Sequence, residues 1–193
     1  MLKKIYCLIQ TLLFAVLIYY RFSYPASFIQ YCTAKFLMSG SFFIIGLQQN
    51  QPLKMKLSLL FYAFGDVFIM YSAILGALSF SIGHLFCVLA SKRISIMKLI
   101  TGFIASLPLP YYIYQQGKYE MSFIYQLIFY LFSCAMPFVC YFGQKGGMAA
   151  ILFFVSDHLI ILDDYISERR WQQVTLLGTY YIAVNYYAMM KQE

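Results

Sequence analysis

Charge is what this sequence lacks most. Only 11% of its residues are Asp, Glu, Lys or Arg, against about 25% in a soluble domain. With 62% hydrophobic residues and a mean hydropathy of +0.71, too little polar chain remains for a separate soluble domain. A single membrane domain over residues 1–193 is expected. Long polar loops are also missing. The net charge of +7 is scattered in short loops between apolar runs, a distribution that fits membrane topology and argues against a nucleic-acid partner. The five cysteines (Cys7, Cys32, Cys87, Cys134 and Cys140) all lie in apolar stretches, are odd in number and form no CxxC pair. They read as small buried apolar residues. No small-x-small cleavage site follows the apolar run of MLKKIYCLIQTLLFAVLIYY, so an uncleaved first span is expected. No HxxxH or HxxE spacing is present, so no metal and no cofactor are expected.

What is there, in abundance, is apolar runs of spanning length. A helix crosses the hydrocarbon layer in about 20 residues. Runs of that kind fall at about 5–21, 27–47 (after the turn-forming Pro25), 57–73, 75–91, 96–115, 121–142, 147–163 and 172–190. The polar stretch QQNQPLKMK separates the second and third, and the basic pair Lys92-Arg93 closes the fourth. The fifth is broken by Pro108 and Pro110, and Pro137 lies in the sixth. The expected fold is all-α: an integral membrane bundle of about eight transmembrane helices joined by short loops. With the N-terminus inside, the outer loops hold only Arg21, Lys118, Arg169 and Arg170, while nine basic residues fall on the inner side, which favours both termini in the cytoplasm. Acidic Glu120, Asp163, Asp164 and Glu168 fall in outer loops.

Against this background two aspartates stand out. Gly147–Tyr165, GMAAILFFVSDHLIILDDY, is apolar enough to span, yet its middle reads Ser156-Asp157-His158. Leu59–Met70, LLFYAFGDVFIM, repeats the pattern around Gly65-Asp66. A carboxylate at bilayer depth costs roughly 2.5–3.5 kcal/mol on insertion scales, so it usually faces a protein interior and has a task. Counted at 1.5 Å per residue, Asp66, Asp157, His84, Lys35 and the Tyr180-Tyr181 pair all come to within about ten residues of a span end, near one level at the midplane. Two helices are therefore expected to present two buried carboxylates to one cavity. The two segments are 91 positions apart in helices of the same direction, which hints at a tandem repeat. Small residues add a packing signal. Ser58, Gly65 and Ser72 recur every seven residues, as do Gly76 and Gly83, and Ala149 and Ser156. Such stripes let helix backbones approach closely in lipid.

Two carboxylates sharing a dry site titrate apart, so one can act as an acid while the other accepts protons. That suits hydrolysis by general acid–base catalysis. The bland alternative is a pair of acids neutralised by Lys35 or His84 to hold helices together. His84 is a candidate proton relay, carboxylate partner or metal ligand; Lys35 is a candidate for an anionic phosphate or for an aspartate. His158 projects about 100° away from Asp157 on its helix, so it is not expected to face the same centre. Asp66, His84, Asp157 and His158 are the conceivable metal set, against which the missing spacing counts. Tyr181 and Asn185 share a helix face at i,i+4.

Four ordered cues now add up: Gly65-Asp66 in the third span, Gly83-His84 in the fourth, LFxxSD in the seventh (Leu152, Phe153, Ser156, Asp157), and TYYxA in the eighth (Thr179, Tyr180, Tyr181, Ala183). In order, spacing and span layout the chain resembles the YhhN family, the bacterial relatives of the animal lysoplasmalogenases. It departs from the family pattern where Lys35 is followed by Phe36 instead of Pro, where Val184 and Asn185 follow the alanine of TYYxA instead of Gln, and where His158 follows Asp157 instead of a small residue. The resemblance implies hydrolysis of the vinyl-ether bond of a lysoplasmalogen to a fatty aldehyde and a glycerophospho head group. It implies Asp66 and Asp157 as catalytic residues, with Lys35, His84, Ser156, Tyr180, Tyr181 and Asn185 binding substrate or supporting them. The implied partners are a lysoplasmalogen-type lysophospholipid and the bilayer; oligomeric state stays open. The expected location is a bacterial inner membrane. The competing class is a small proton-coupled transporter or lipid flippase, since buried carboxylates and Pro-broken helices also mark transporters.

Overall fold

The computed structural model describes residues 2–22, 28–91, 94–117, 119–165 and 170–190. Pro25, Lys92, Arg93, Lys118, Glu168, Arg169 and Lys191, which bear on the turn and loop-charge arguments, lie outside the described residues, as do the side chains of Lys3 and Asp164. Among the described residues the chain is helical with no strand. The helices are α1 (Leu2–Phe22), α2 (Phe28–Gln48), α3 (Leu53–Phe68), α4 (Ala73–Ser91), α5 (Ile96–Ser106), α6 (Pro108–Gln115), α7 (Met121–Tyr141), α8 (Gly147–Tyr165) and α9 (Arg170–Met189). The break between α5 and α6 falls where proline dictates. Pro108 takes the first position of α6, where its missing N–H removes no helical bond. Counting α5 and α6 as one broken rod, the described residues form the expected bundle of eight.

The third rod differs from its expected bounds of 57–73. It begins at Leu53, inside the polar stretch, and ends at Phe68. Pro52 sits at its N-cap and starts the helix there, because a fixed φ needs no apolar surroundings. Met70 and Tyr71 then form the turn into α4, and the Ser72 hydroxyl accepts from the Leu75 amide at 3.4 Å.

Among the described residues five rods are long and apolar enough to cross a membrane: Lys4–Phe22, Phe28–Gln48, Ala73–Ser91, Ile96–Gln115 and Met121–Tyr141. Of the other three, α3 has only 16 residues, α8 carries three aspartates and α9 is rich in polar side chains. These three carry Asp66, Asp157 and Tyr180 into the polar centre of the molecule. The outside is correspondingly apolar: Leu8, Leu12, Phe36, Leu78, Leu85 and Phe129 are each more than half exposed. An exposed apolar surface of that extent suits contact with lipid.

Helices α2, α3, α4, α7, α8 and α9 pack in succession, and α9 returns to α2, closing a ring. Helix α1 packs on α2 from outside, and the α5–α6 rod packs on α7. Small residues form the α3–α4 seam. A methyl group on Gly65 would lie 2.7 Å from the Phe80 ring, on Gly76 2.6 Å from the Ile69 side chain, and on Gly83 2.6 Å from the Tyr62 ring. The stripes seen in the sequence thus face each other, and close backbone approach there aims Asp66 and His84 inward.

The QQNQPLKMK stretch is more than a solvated loop. Gln51 is buried, and its amide donates to the carbonyls of Tyr187 and Ala188 at 3.2 Å each, and to Met190. It caps the C-terminal end of α9, whose last carbonyls have no helical partner.

Candidate active site

Five helices of the ring each bring a pair of residues four positions apart to the centre: Lys35 and Ser39 on α2, Tyr62 and Asp66 on α3, Phe80 and His84 on α4, Tyr130 and Cys134 on α7, Phe153 and Asp157 on α8. Residues at i and i+4 stand on one helix face, so each helix spends one inward stripe on this layer. Helix α9 adds Tyr180.

The layer has two adjoining centres. At the first, Asp66 is 2% exposed. Its Oδ2 accepts from the Ser39 hydroxyl at 2.5 Å and from the Tyr180 hydroxyl at 2.8 Å. Its Oδ1 lies 3.5 Å from the Lys35 ammonium, which is itself buried. One carboxylate is thus met by a counter-charge and two hydroxyl donors. A buried ion needs this degree of compensation.

At the second centre His84 and Asp157 are 0% and 1% exposed, and His84 Nε2 lies 3.2 Å from Asp157 Oδ2. The Tyr130 hydroxyl donates to Asp157 Oδ1 at 3.1 Å, and the Tyr62 hydroxyl is hydrogen-bonded to His84 Nδ1 at 3.0 Å. Cys134 completes the cluster. Its Sγ, His84 Nε2 and a carboxylate oxygen of Asp157 all lie within 4.8 Å of one another, a set of atoms able to hold a metal ion.

Tyr62 bridges the centres. Its hydroxyl touches His84, and its backbone carbonyl accepts from the Tyr180 hydroxyl at 3.5 Å. The Phe153 ring stands among them, 4.7 Å from Tyr62, 4.8 Å from His84 and 5.2 Å from Tyr180 between ring centroids. The two aspartates are therefore arranged as two paired centres with a shared aromatic wall, each with its own base or cation.

The remaining candidates fall elsewhere. Ser156 is buried and its hydroxyl donates to the Leu176 carbonyl at 3.2 Å, so it belongs to the α8–α9 seam. His158 contacts the Phe154 carbonyl of its own helix through Nδ1 at 2.8 Å, and its ring lies tilted against the Phe154 ring with centroids 4.1 Å apart. Tyr181 and Asn185 do share a face, where the Asn185 amide donates to the Tyr181 carbonyl at 2.7 Å. That face looks toward α1. The Asn185 amide also donates to Gln10 Oε1 at 3.3 Å, the Tyr6 hydroxyl donates to Asn185 Oδ1, and Gln10 in turn donates to Ser41. This polar ladder borders a groove of about 400 Å³ between α1, α2 and α9. Met38 and Tyr181 line it, and they adjoin Ser39 and Tyr180, the two residues that hold Asp66.

Ser39, Tyr62, Tyr130 and Cys134 are site residues that sequence reasoning did not single out, and Phe153 entered it only as part of LFxxSD. Their one local signal is the i,i+4 spacing to a more conspicuous partner. It was present for Ser39, Tyr62 and Phe153, next to Lys35, Asp66 and Asp157. No such partner marks Tyr130 and Cys134, which flank each other on a helix with no charge.

Neither a curated protein nor a solved structure matches the chain. A family comparison does: the match runs over residues 27–186, which take in every residue of both centres, and by it the chain belongs to the YhhN family.

Proposed function

We propose that the protein is a membrane-embedded lysolipid hydrolase that cleaves the vinyl-ether bond of a lysoplasmalogen. The observation that carries this reading is the pairing of two sealed carboxylates, one with a lysine and one with a histidine, in a single layer of a YhhN-family bundle. Vinyl-ether hydrolysis asks for two things. A proton must reach the alkene carbon distal to oxygen, and the oxocarbenium ion so formed must be stabilised until water adds. The resulting hemiacetal collapses to an aldehyde and an alcohol, so one water is consumed. In this assignment the His84–Asp157 centre delivers the proton and later activates the water. Asp66, already paired with Lys35, supplies the negative charge that stabilises the cation. Tyr62 couples the two through its hydroxyl and carbonyl.

The groove between α1, α2 and α9 supports the lipid substrate. Its lining includes Met38 and Tyr181, chain neighbours of Ser39 and Tyr180, and combines apolar walls with the amides of Gln10 and Asn185, which suits a chain joined to a polar head group. The enzyme is assigned to a bacterial inner membrane with both termini in the cytoplasm. The transporter alternative drew on the Pro-broken rod, but α5 and α6 pack on α7 and contribute none of the described contacts to either aspartate.

The test is aldehyde release from a lysoplasmalogen by the purified, detergent-solubilised protein beside Asp157→Asn. Loss of a positioned general acid–base group lowers turnover by about 10²–10⁴-fold, so the variant is expected to fall to background. Full activity in the variant refutes the assignment. No release from the wild type, with lipid movement in proteoliposomes, transfers the protein to the transporter class.

A further inference from the structure

His84, Cys134 and Asp157 come from three different helices, α4, α7 and α8, and all three are buried. Their ligand atoms lie within 4.8 Å of one another. Proximity alone would describe a buried His–Asp pair beside an inert thiol. The orientation describes something else. His84 Nε2 and Asp157 Oδ2 stand 3.2 Å apart, yet among the described residues neither makes an aligned hydrogen bond. Leaving two such atoms without partners in a dry site is costly. Two buried atoms this close without an aligned hydrogen bond are placed to share a third partner.

The distances fit a metal ion as that target. Nitrogen and oxygen ligands about 2.0–2.1 Å from a tetrahedral zinc ion stand about 3.4 Å from each other, close to the 3.2 Å observed. A thiolate ligand would stand about 3.6 Å from the other two. From a separation of at most 4.8 Å, a small side-chain rotation of Cys134 covers the difference. The far atoms of the two harder ligands are already held. Tyr62 engages His84 Nδ1 and Tyr130 engages Asp157 Oδ1, which turns Nε2 and Oδ2 inward. Metal ligands are characteristically oriented by outer contacts of this kind.

Charge points the same way. A thiolate and a carboxylate together offset one divalent cation and the neutral imidazole adds no charge, so the sum is a neutral centre suited to low dielectric. Thiolate with imidazole selects a borderline-soft ion such as zinc over magnesium or calcium.

We propose that His84, Cys134 and Asp157 form a binding site for one divalent transition-metal ion of the zinc type, with a fourth position left open. The site rests on geometry alone and is independent of which bond the protein cleaves. Spacing along the chain carries no sign of this site, because the three ligands come together only in the folded bundle. A bound cation would take His84 Nε2 and Asp157 as ligands, so the acid–base role assigned to that centre above belongs to the metal-free protein.

The experiment uses purified full-length protein in detergent, stripped with a chelator and titrated with Co²⁺. One equivalent should bind, with thiolate-to-cobalt charge-transfer absorption that Zn²⁺ then displaces. Cys134→Ala and Cys134→Ser should abolish that absorption while retaining cooperative thermal unfolding. Tyr130→Phe, an outer contact, should weaken binding by about 10–100-fold and keep the band. The proposal is overturned if the folded wild type shows no charge-transfer band, or if the band survives in Cys134→Ala. The second result would place the cobalt on another thiol, such as exposed Cys7. Neither readout depends on aldehyde release, so failure here leaves the hydrolase assignment standing.

Discussion

Replacing Asp66 by Asn separates a structural ion pair from a working carboxylate, and the geometry says how. The amide oxygen can take the place of Oδ2 and keep both donors, Ser39 at 2.5 Å and Tyr180 at 2.8 Å. The amide nitrogen then takes the place of Oδ1 and points a donor at the Lys35 ammonium, 3.5 Å away. Lys35 is left as a buried cation without a counter-charge, since its side chain is only 10% exposed. Breaking a buried pair from one side costs about 3–5 kcal/mol. Lys35→Met, which strands the carboxylate instead, should cost a similar amount. The double variant Lys35→Met, Asp66→Asn removes both charges and leaves the two hydroxyls an acceptor. It should unfold within about 1 kcal/mol of the wild type, since a well-packed apolar replacement of a buried pair is often neutral. The assay is unfolding in mixed micelles followed by circular dichroism, run on all four proteins with aldehyde release measured in parallel. Stability should recover in the double variant and activity should not. A coupling below about 1 kcal/mol would mean that the pair behaves as a solvated surface pair, and the buried geometry would be wrong. Recovery of activity together with stability would reduce Asp66 to a structural role.

Three further variants test packing and hydrogen bonding. Gly83→Ala should lower turnover more than stability. Its methyl group would stand 2.6 Å from the Tyr62 ring, which is wholly buried against Phe153 and His84. Overpacking costs about 1–3 kcal/mol, of which about 1 kcal/mol is regained in helix propensity. The displaced ring carries away the hydroxyl that holds His84. Gly40→Ala is the control, with nothing within 4 Å of the new methyl group, and should be neutral or stabilising by up to about 1 kcal/mol in the same unfolding assay. Gln51→Ala should cost about 1–3 kcal/mol by stranding the last carbonyls of α9. Hydrogen exchange should rise first at Tyr187, Ala188 and Met190, whose carbonyls Gln51 holds.

Much was legible before any coordinates. The apolar runs set the number and order of the rods, because backbone groups in lipid must be satisfied within the helix itself. Asp66 and Asp157 announced themselves because a carboxylate in an apolar run has no cheap explanation. The glycines of α3 and α4 announced a seam because their spacing keeps them on one face. Other features depend on which helices become neighbours, and periodicity along one chain carries no information about that. Nothing local pairs Asp157 with a histidine on α4, or Asp66 with a lysine on α2. Tyr62 and Tyr130 were hidden among 19 tyrosines, and Cys134 among five cysteines in apolar surroundings. Ser156 and Asn185 have the right chemistry at the right depth, yet helix rotation turns one into the α9 seam and the other toward α1. Depth along a helix is a count of residues and belongs to the sequence. Azimuth, and the identity of the partner across the gap, are set only when the ring closes.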